Sequence, residues 1–76
     1  MTTAYLTCLK GRVTAESTIV IGGAEWPVTH PRYGNVPFRV ADTLRRAGYR
    51  LARPNFQDCL SDIDDAGGYT IEVERL

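Results

Sequence analysis

Glycine and proline divide this chain into pieces that suit only a small mixed fold. The dividers are Gly11, Gly22-Gly23, Pro27, Pro37, Gly48, Pro54 and Gly67-Gly68. Proline lacks a backbone donor and fixes its own φ, so it breaks helix interiors and central strands; paired glycines favour turns. Ahead of the first divider, Tyr5, Thr7 and Leu9 alternate with Leu6 and Cys8, the pattern of a strand that ends near Lys10-Gly11. Thr18-Ile19-Val20-Ile21 is β-branched and runs into Gly22-Gly23, which predicts a tight hairpin with Ala24 to Val28 returning antiparallel. Pro27 cannot donate to a ladder, so the returning strand belongs at a sheet edge or ends early. Arg12 to Glu16 has the composition to extend one of these strands.

Residues 29–35 read as a loop around His30-Pro31-Arg32-Tyr33-Gly34, after which Pro37 suits the first position of a helix. Val40, Ala41, Leu44 and Ala47 recur at helical spacing, and Gly48 is a C-terminal stop. Tyr49 to Arg53 forms a short strand with Leu51 inward before Pro54 breaks it. Asn55 caps a second helix, with Asp58 complementing its N-terminus and Phe56, Cys59, Leu60 and Ile63 along one face. Gly67-Gly68 ends it, and Tyr69, Ile71 and Val73 alternate with Thr70, Glu72 and Glu74 as a half-buried final strand.

The pattern predicts one α+β domain over residues 1–76. An N-terminal antiparallel hairpin region precedes helix-strand-helix-strand, in the order β-β-β-α-β-α-β. A single sheet carries two helices packed on one face. The last three elements suggest a right-handed βαβ crossover, although they fall slightly short of the roughly 30 residues such units use.

A chain of 76 residues makes one small domain, burying about 60% of its unfolded surface. The longest purely apolar run, Ile19-Val20-Ile21, is far too short to span a bilayer, and the N-terminus lacks a basic region followed by a long apolar one. A cytosolic chain without membrane contact is expected. Cys8 and Cys59 then read as free thiols serving as small core residues, although a bridge between them would close a long loop.

The formal charge is zero, yet the charges are sorted. Residues 31–53 hold Arg32, Arg39, Arg45, Arg46, Arg50 and Arg53 against Asp42 alone, a net +5; residues 54–76 hold Asp58, Asp62, Asp64, Asp65, Glu72 and Glu74 against Arg75 alone, a net −5. Such asymmetry bears on partners more than net charge does. On the first helix Arg39 and Arg46 are seven apart and share a face. With Arg32 and Tyr33 beside them they would make a basic patch with an aromatic, fit for a phosphate backbone and a base. The plainer reading is a solvated helix face, or pairing with Asp58, Asp62 and Asp65, which share a face of the second helix. Trp26, His30, Arg32, Tyr33 and Phe38 fall within thirteen positions and contain the residue types that dominate binding hot spots. Phe38 points away from the apolar stripe and is left exposed, while a lone Trp26 is most simply a core residue.

Other chemistries find little support. Asp62 to Gly67 resembles the start of a calcium loop, but Ala66 and Val73 stand where oxygen donors are needed. His30 is the only imidazole and has no local motif linking it to either cysteine; two cysteines and one histidine are too few for a structural zinc. Neither glycine pair matches a phosphate loop. We therefore expect no catalytic residues, metal or cofactor. The expected function is a small cytosolic protein-interaction module, a stoichiometric adaptor or inhibitor of a larger protein, binding through Trp26, Arg32, Tyr33, Phe38, Arg39 and Arg46. Its acidic face (Asp58, Asp62, Asp65) is suited to a basic groove, as in a phage- or mobile-element-type inhibitor of a nucleic-acid enzyme. The alternative is direct binding of single-stranded DNA or RNA by the same arginines. Opposed charge blocks also bring a homodimer within reach.

Overall fold

The computed structural model describes residues 2–28 and 35–76; the loop positions His30, Arg32 and Tyr33 lie outside them. The elements are β1 (Thr2–Leu6), β2 (Thr18–Ile21), β3 (Ala24–Pro27), α1 (Val36–Ala47), β4 (Tyr49–Leu51), α2 (Phe56–Cys59) and β5 (Tyr69–Arg75). Their order is the one the sequence pattern predicts. The strands form one antiparallel sheet, β3-β2-β1-β5-β4. Pro27 lies opposite Thr18 on β3, an edge strand, where a missing donor does least harm.

Strand alternation divides the sheet into two faces. Ala4, Leu6, Ile19, Ile21, Ile71 and Val73 point inward and are buried together with Val40 and Leu44 of α1 and Phe56 and Cys59 of α2. Each such fully buried aliphatic side chain contributes about 1.5–3 kcal/mol. The alternate residues, among them Thr3, Tyr5, Glu25, Thr70, Glu72 and Glu74, form the uncovered face. Helix α1 packs against β2, β3 and also β4. Since β3 and β4 are opposite edges, the sheet curls around the helix.

Asn35 caps α1, its side-chain oxygen accepting from the Phe38 N–H at 3.0 Å, and helix geometry starts at Val36, one residue before Pro37. Gly48 ends it at φ 94°, a conformation that favours glycine. The buried face consists of Arg39, Val40, Thr43 and Leu44, so it is rotated from the Val40–Ala41–Leu44 stripe toward Arg39, and Ala41 is only half-buried.

Two expectations fail at the second helix. Residues 55–63 do not form one amphipathic helix: α2 is a single turn, and Leu60 is extended. Leu60 instead bridges Ile71, the Ser61 N–H donates to the Thr70 carbonyl at 2.9 Å, and Ile63 is 51% exposed. β4 hands over this side of β5 at Ala52, whose N–H reaches the Glu72 carbonyl, and Leu60-Ser61 take up the vacated positions beside Ile71 and Thr70. Backbone pairing with β5 thus overrides the helical periodicity. Nor is there a βαβ crossover, because β4 and β5 are antiparallel neighbours with Arg50 opposite Glu74.

Candidate functional site

Of the predicted binding residues, the described ones, Trp26, Phe38, Arg39 and Arg46, do not form one exposed patch. Phe38 is 57% exposed, as its position off the apolar stripe predicts. Its neighbour Arg39 is only 8% exposed, so it is no free surface cation. It cannot share a solvated face with Arg46, which lies in the open and pairs with Asp42 one turn earlier at 3.4 Å. Trp26 is half-buried on β3 opposite Ile19, on the inner side of the sheet, and packs against the core. Asp58, Asp62 and Asp65 are exposed, but they belong to α2, the extended stretch after it and a turn, so they share no helix face.

A concave feature among the described residues lies instead where β1 ends and β5 begins. It is a cleft of about 620 Å³ with an apolar lining of Leu6, Val13, Val36, Phe56, Leu60 and Tyr69 and polar groups from Arg12, Gln57, Ser61 and Asp62. Ligand-binding clefts fall in this size range, about 300–1,000 Å³, with the same mix of apolar wall and sparse polar groups. Its walls come from five separate parts of the chain and are positioned by turns. Leu9 and Arg12 exchange two backbone hydrogen bonds of 2.9 Å across Lys10 (φ 51°) and Gly11 (φ 80°), a two-residue turn of the type in which both residues have positive φ. The Gly11 N–H donates to the Gly67 carbonyl at 2.9 Å, and the Tyr69 hydroxyl donates to the Gly11 carbonyl at 3.2 Å.

Asp64 organises the opposing turn. One carboxylate oxygen accepts from the Ala66 and Gly68 N–H groups, each at 3.0 Å, and the other accepts from the Tyr5 hydroxyl at 2.6 Å. The Tyr5 hydrogen bond, followed by the backbone donors, holds the Asp64 carboxyl below the usual carboxylate range. The same bond, followed by desolvation, raises the Tyr5 phenol. Partial burial, with the Asp64 charge second, raises the Cys8 thiol, which disfavours the reactive thiolate. Asp64 therefore serves the turn, and the calcium-like letters around it are those of a carboxylate-capped turn. Ser61 is likewise occupied: its hydroxyl donates to the Asp62 carbonyl at 3.0 Å and accepts from the Thr70 N–H at 2.9 Å. Cys59 is buried and Cys8 half-buried, both as free thiols.

At the far end of β5 the two charge blocks meet. Arg50 Nε lies 2.7 Å from Glu74 Oε1, and Arg53 lies 3.3 Å from Glu72. Basic and acidic blocks do pair, then, but across β4 and β5 and not between the two helices. Beside them is a smaller groove of about 240 Å³, lined by Ala41, Arg45, Tyr49, Arg50, Leu51, Arg53, Pro54 and Leu76. Sequence reasoning missed both concavities, since each gathers residues from distant segments. Lys10-Gly11 was the one local signal for the cleft, as a pair able to make a tight turn beside Arg12 and Val13.

No protein-family model, no curated protein and no solved structure matches the chain. Among the described residues no helix is long and apolar enough to cross a membrane.

Proposed function

We propose that this chain is a non-catalytic protein-interaction module, acting stoichiometrically as an adaptor or inhibitor by occupying a surface of a larger protein. The observation that carries this is the cleft at the junction of β1 and β5: an apolar floor with Arg12 and Asp62 among its polar groups and its two hydroxyls, Ser61 and Tyr69, both held in backbone hydrogen bonds. Such a cleft receives an apolar side chain of a partner and excludes water around it, as hot-spot pockets do. Exposed Phe38, two residues beyond the cleft-lining Val36, offers a second anchor. Direct single-stranded nucleic-acid binding has less support, since Arg46, Arg50 and Arg53 each face a carboxylate. An inhibitor that imitates a phosphate backbone would be left with Asp58, Asp62 and Asp65, because Glu72 and Glu74 are paired with arginines.

The test is affinity capture followed by competition. Gln57→Trp places a bulky ring over the cleft from an exposed position and should abolish capture of the partner, with an unchanged melting temperature; Phe38→Ala should weaken it. Retention of the partner by both variants would remove the cleft as the site. Anisotropy titrations with labelled oligonucleotides form the other arm. Micromolar binding that collapses as salt rises would replace protein binding with the nucleic-acid reading.

A further inference from the structure

The opposite end of β5 carries a second surface. β4 is the outermost strand on its side of the sheet. The Ala52 N–H donates to the Glu72 carbonyl and the Gly48 carbonyl accepts from the Leu76 N–H, each at 3.1 Å, with Arg50 opposite Glu74 between them. Because antiparallel ladders bond every second residue on one side, Arg50 faces β5, and the N–H and C=O groups of Tyr49 and Leu51 face away from it. Tyr49 and Leu51 also line the groove of about 240 Å³, whose apolar floor includes Ala41 and Leu51 and whose cations are Arg45, Arg50 and Arg53. Arg50 and Arg53 are held by Glu74 and Glu72, whereas Arg45 has no ion-pair partner among the described residues.

We propose that the free edge of β4 docks an extended, acidic segment of a partner protein as a sixth strand. The proposal rests on the protein-interaction reading and names a partner chemistry for a site separate from the cleft. Three features select this occupant. Tyr49 and Leu51 offer alternating donors and acceptors, which match a peptide backbone; a phosphate backbone presents acceptors only. The apolar floor suits the alternate side chains of an added strand. The arginines at the rim complement carboxylates, and Arg45 supplies the charge left over after internal pairing. A second copy joined β4 to β4 would set arginines against arginines. The other edge is a poorer template, because Pro27 deprives β3 of a donor.

The probe is a fluorescein-labelled ten-residue peptide of alternating glutamate and valine, titrated into the full chain, with a lysine–valine peptide of the same length as control. The glutamate peptide should bind in the micromolar range, weaken with salt and slow amide exchange at Tyr49 and Leu51; the lysine peptide should not bind. Arg45→Glu/Arg53→Glu should weaken binding by about tenfold or more, a factor equal to about 1.4 kcal/mol. Single-residue exchange in the unmodified chain locates the site even if that double variant folds poorly. Absence of binding at millimolar peptide, protection elsewhere, or equal binding of both peptides overturns the proposal. So does oligonucleotide binding that depends on these arginines but leaves Tyr49 and Leu51 unprotected, or concentration-dependent self-association that protects this edge. Gln57→Trp should leave peptide binding intact. Loss of the peptide site with capture at the cleft preserved would therefore overturn this proposal alone.

Discussion

At the cleft end of β5, turns hold one another through glycine contacts and a single carboxylate; at the β4 end, two strands hold one another through ladder bonds with arginine–glutamate pairs outside them. Gly67 sits at φ 85°, where a Cβ would lie 3.0 Å from the Lys10 backbone nitrogen, and Asp64 binds two amides and Tyr5 at once. At the β4 end, Arg50 and Glu74 are half-exposed side chains meeting in water. Shape at the first end depends on backbone atoms crowded around Gly67 and Gly68, while charge at the second rests on groups that solvent also satisfies. Substitution should thus damage the two ends very unequally.

The strongest way to break this comparison is Gly68→Ala. Gly68 is buried, and a Cβ there would collide with the Tyr5 hydroxyl and come 2.6 Å from the Leu6 carbonyl oxygen, a backbone atom that cannot swing aside. We expect a loss of about 3 kcal/mol in urea unfolding, at the upper end of the usual range for overpacked cores. Gly23→Ala separates crowding from strain. It has φ 78° but no atom within 4 Å of a Cβ, so its loss should be nearer about 1 kcal/mol. Equal losses at the two positions would mean that crowding at the turn does not matter.

The Asp64–Tyr5 bond should show itself in the pH dependence of stability. Asp64 has its folded pKa lowered, so its contribution is complete above the ordinary aspartate value and disappears as pH falls through the lowered one. Tyr5 has its folded pKa raised, so its contribution is complete below the ordinary tyrosine value and is lost as pH rises through the raised one. Melting temperature should therefore decline below pH about 4 and above pH about 10. Tyr5→Phe should remove its share of the alkaline decline and shrink the acid one, which the Ala66 and Gly68 amides still support; Asp64→Asn should remove the acid share. An unchanged profile in both variants would show that the bond does not form in solution.

The same division explains what could be read from the chain. Elements punctuated by local chemistry were legible: the Gly22-Gly23 hairpin, Asn35 to Gly48 and the alternating β5 each depend on residues within a few positions of one another. Pro27 even indicated an edge. Leu60 and Ile63 misled, because their helical spacing was real but the unpaired side of β5 beyond Glu72 claimed Leu60 for extended pairing. Arg39 misled for a related reason: a buried face rotated by one position brings an arginine inward, and spacing alone does not fix that rotation. The cleft was illegible, since Arg12, Phe56, Asp62 and Tyr69 approach only once the turns have docked. The arginine-rich edge was half-legible: its charge was visible as a block, but its pairing with Glu72 and Glu74 needed the β4–β5 register.

A gentler probe of the cleft end is Lys10→Asn. Lys10 is the one described non-glycine residue at positive φ, in the first position of a tight turn, and Asn-Gly is the pair such turns favour. Relief of that local strain should stabilise the chain by about 0.5–1 kcal/mol, measured as a higher urea midpoint at constant slope. No gain would indicate that docking against Gly67, and not the preference of Lys10, sets the turn.

The smallest effect should come from the other end. Arg50→Ala, Glu74→Ala and their combination form a double-mutant cycle around the 2.7 Å pair, whose side chains are 62% and 49% exposed. Pairs of this kind gain little in high dielectric and lose side-chain freedom, so a coupling of about 0–1 kcal/mol is expected, vanishing in 1 M salt. The pair then matters more for what it does to charge than for stability. Glu74→Ala frees Arg50 while leaving the strand bonds intact, so it should tighten binding of the glutamate–valine peptide while barely moving the unfolding midpoint. If the coupling instead exceeded about 2 kcal/mol and resisted salt, Arg50 would be a structural strut. The β4 end would then be built as rigidly as the cleft end, and the contrast between them would fail.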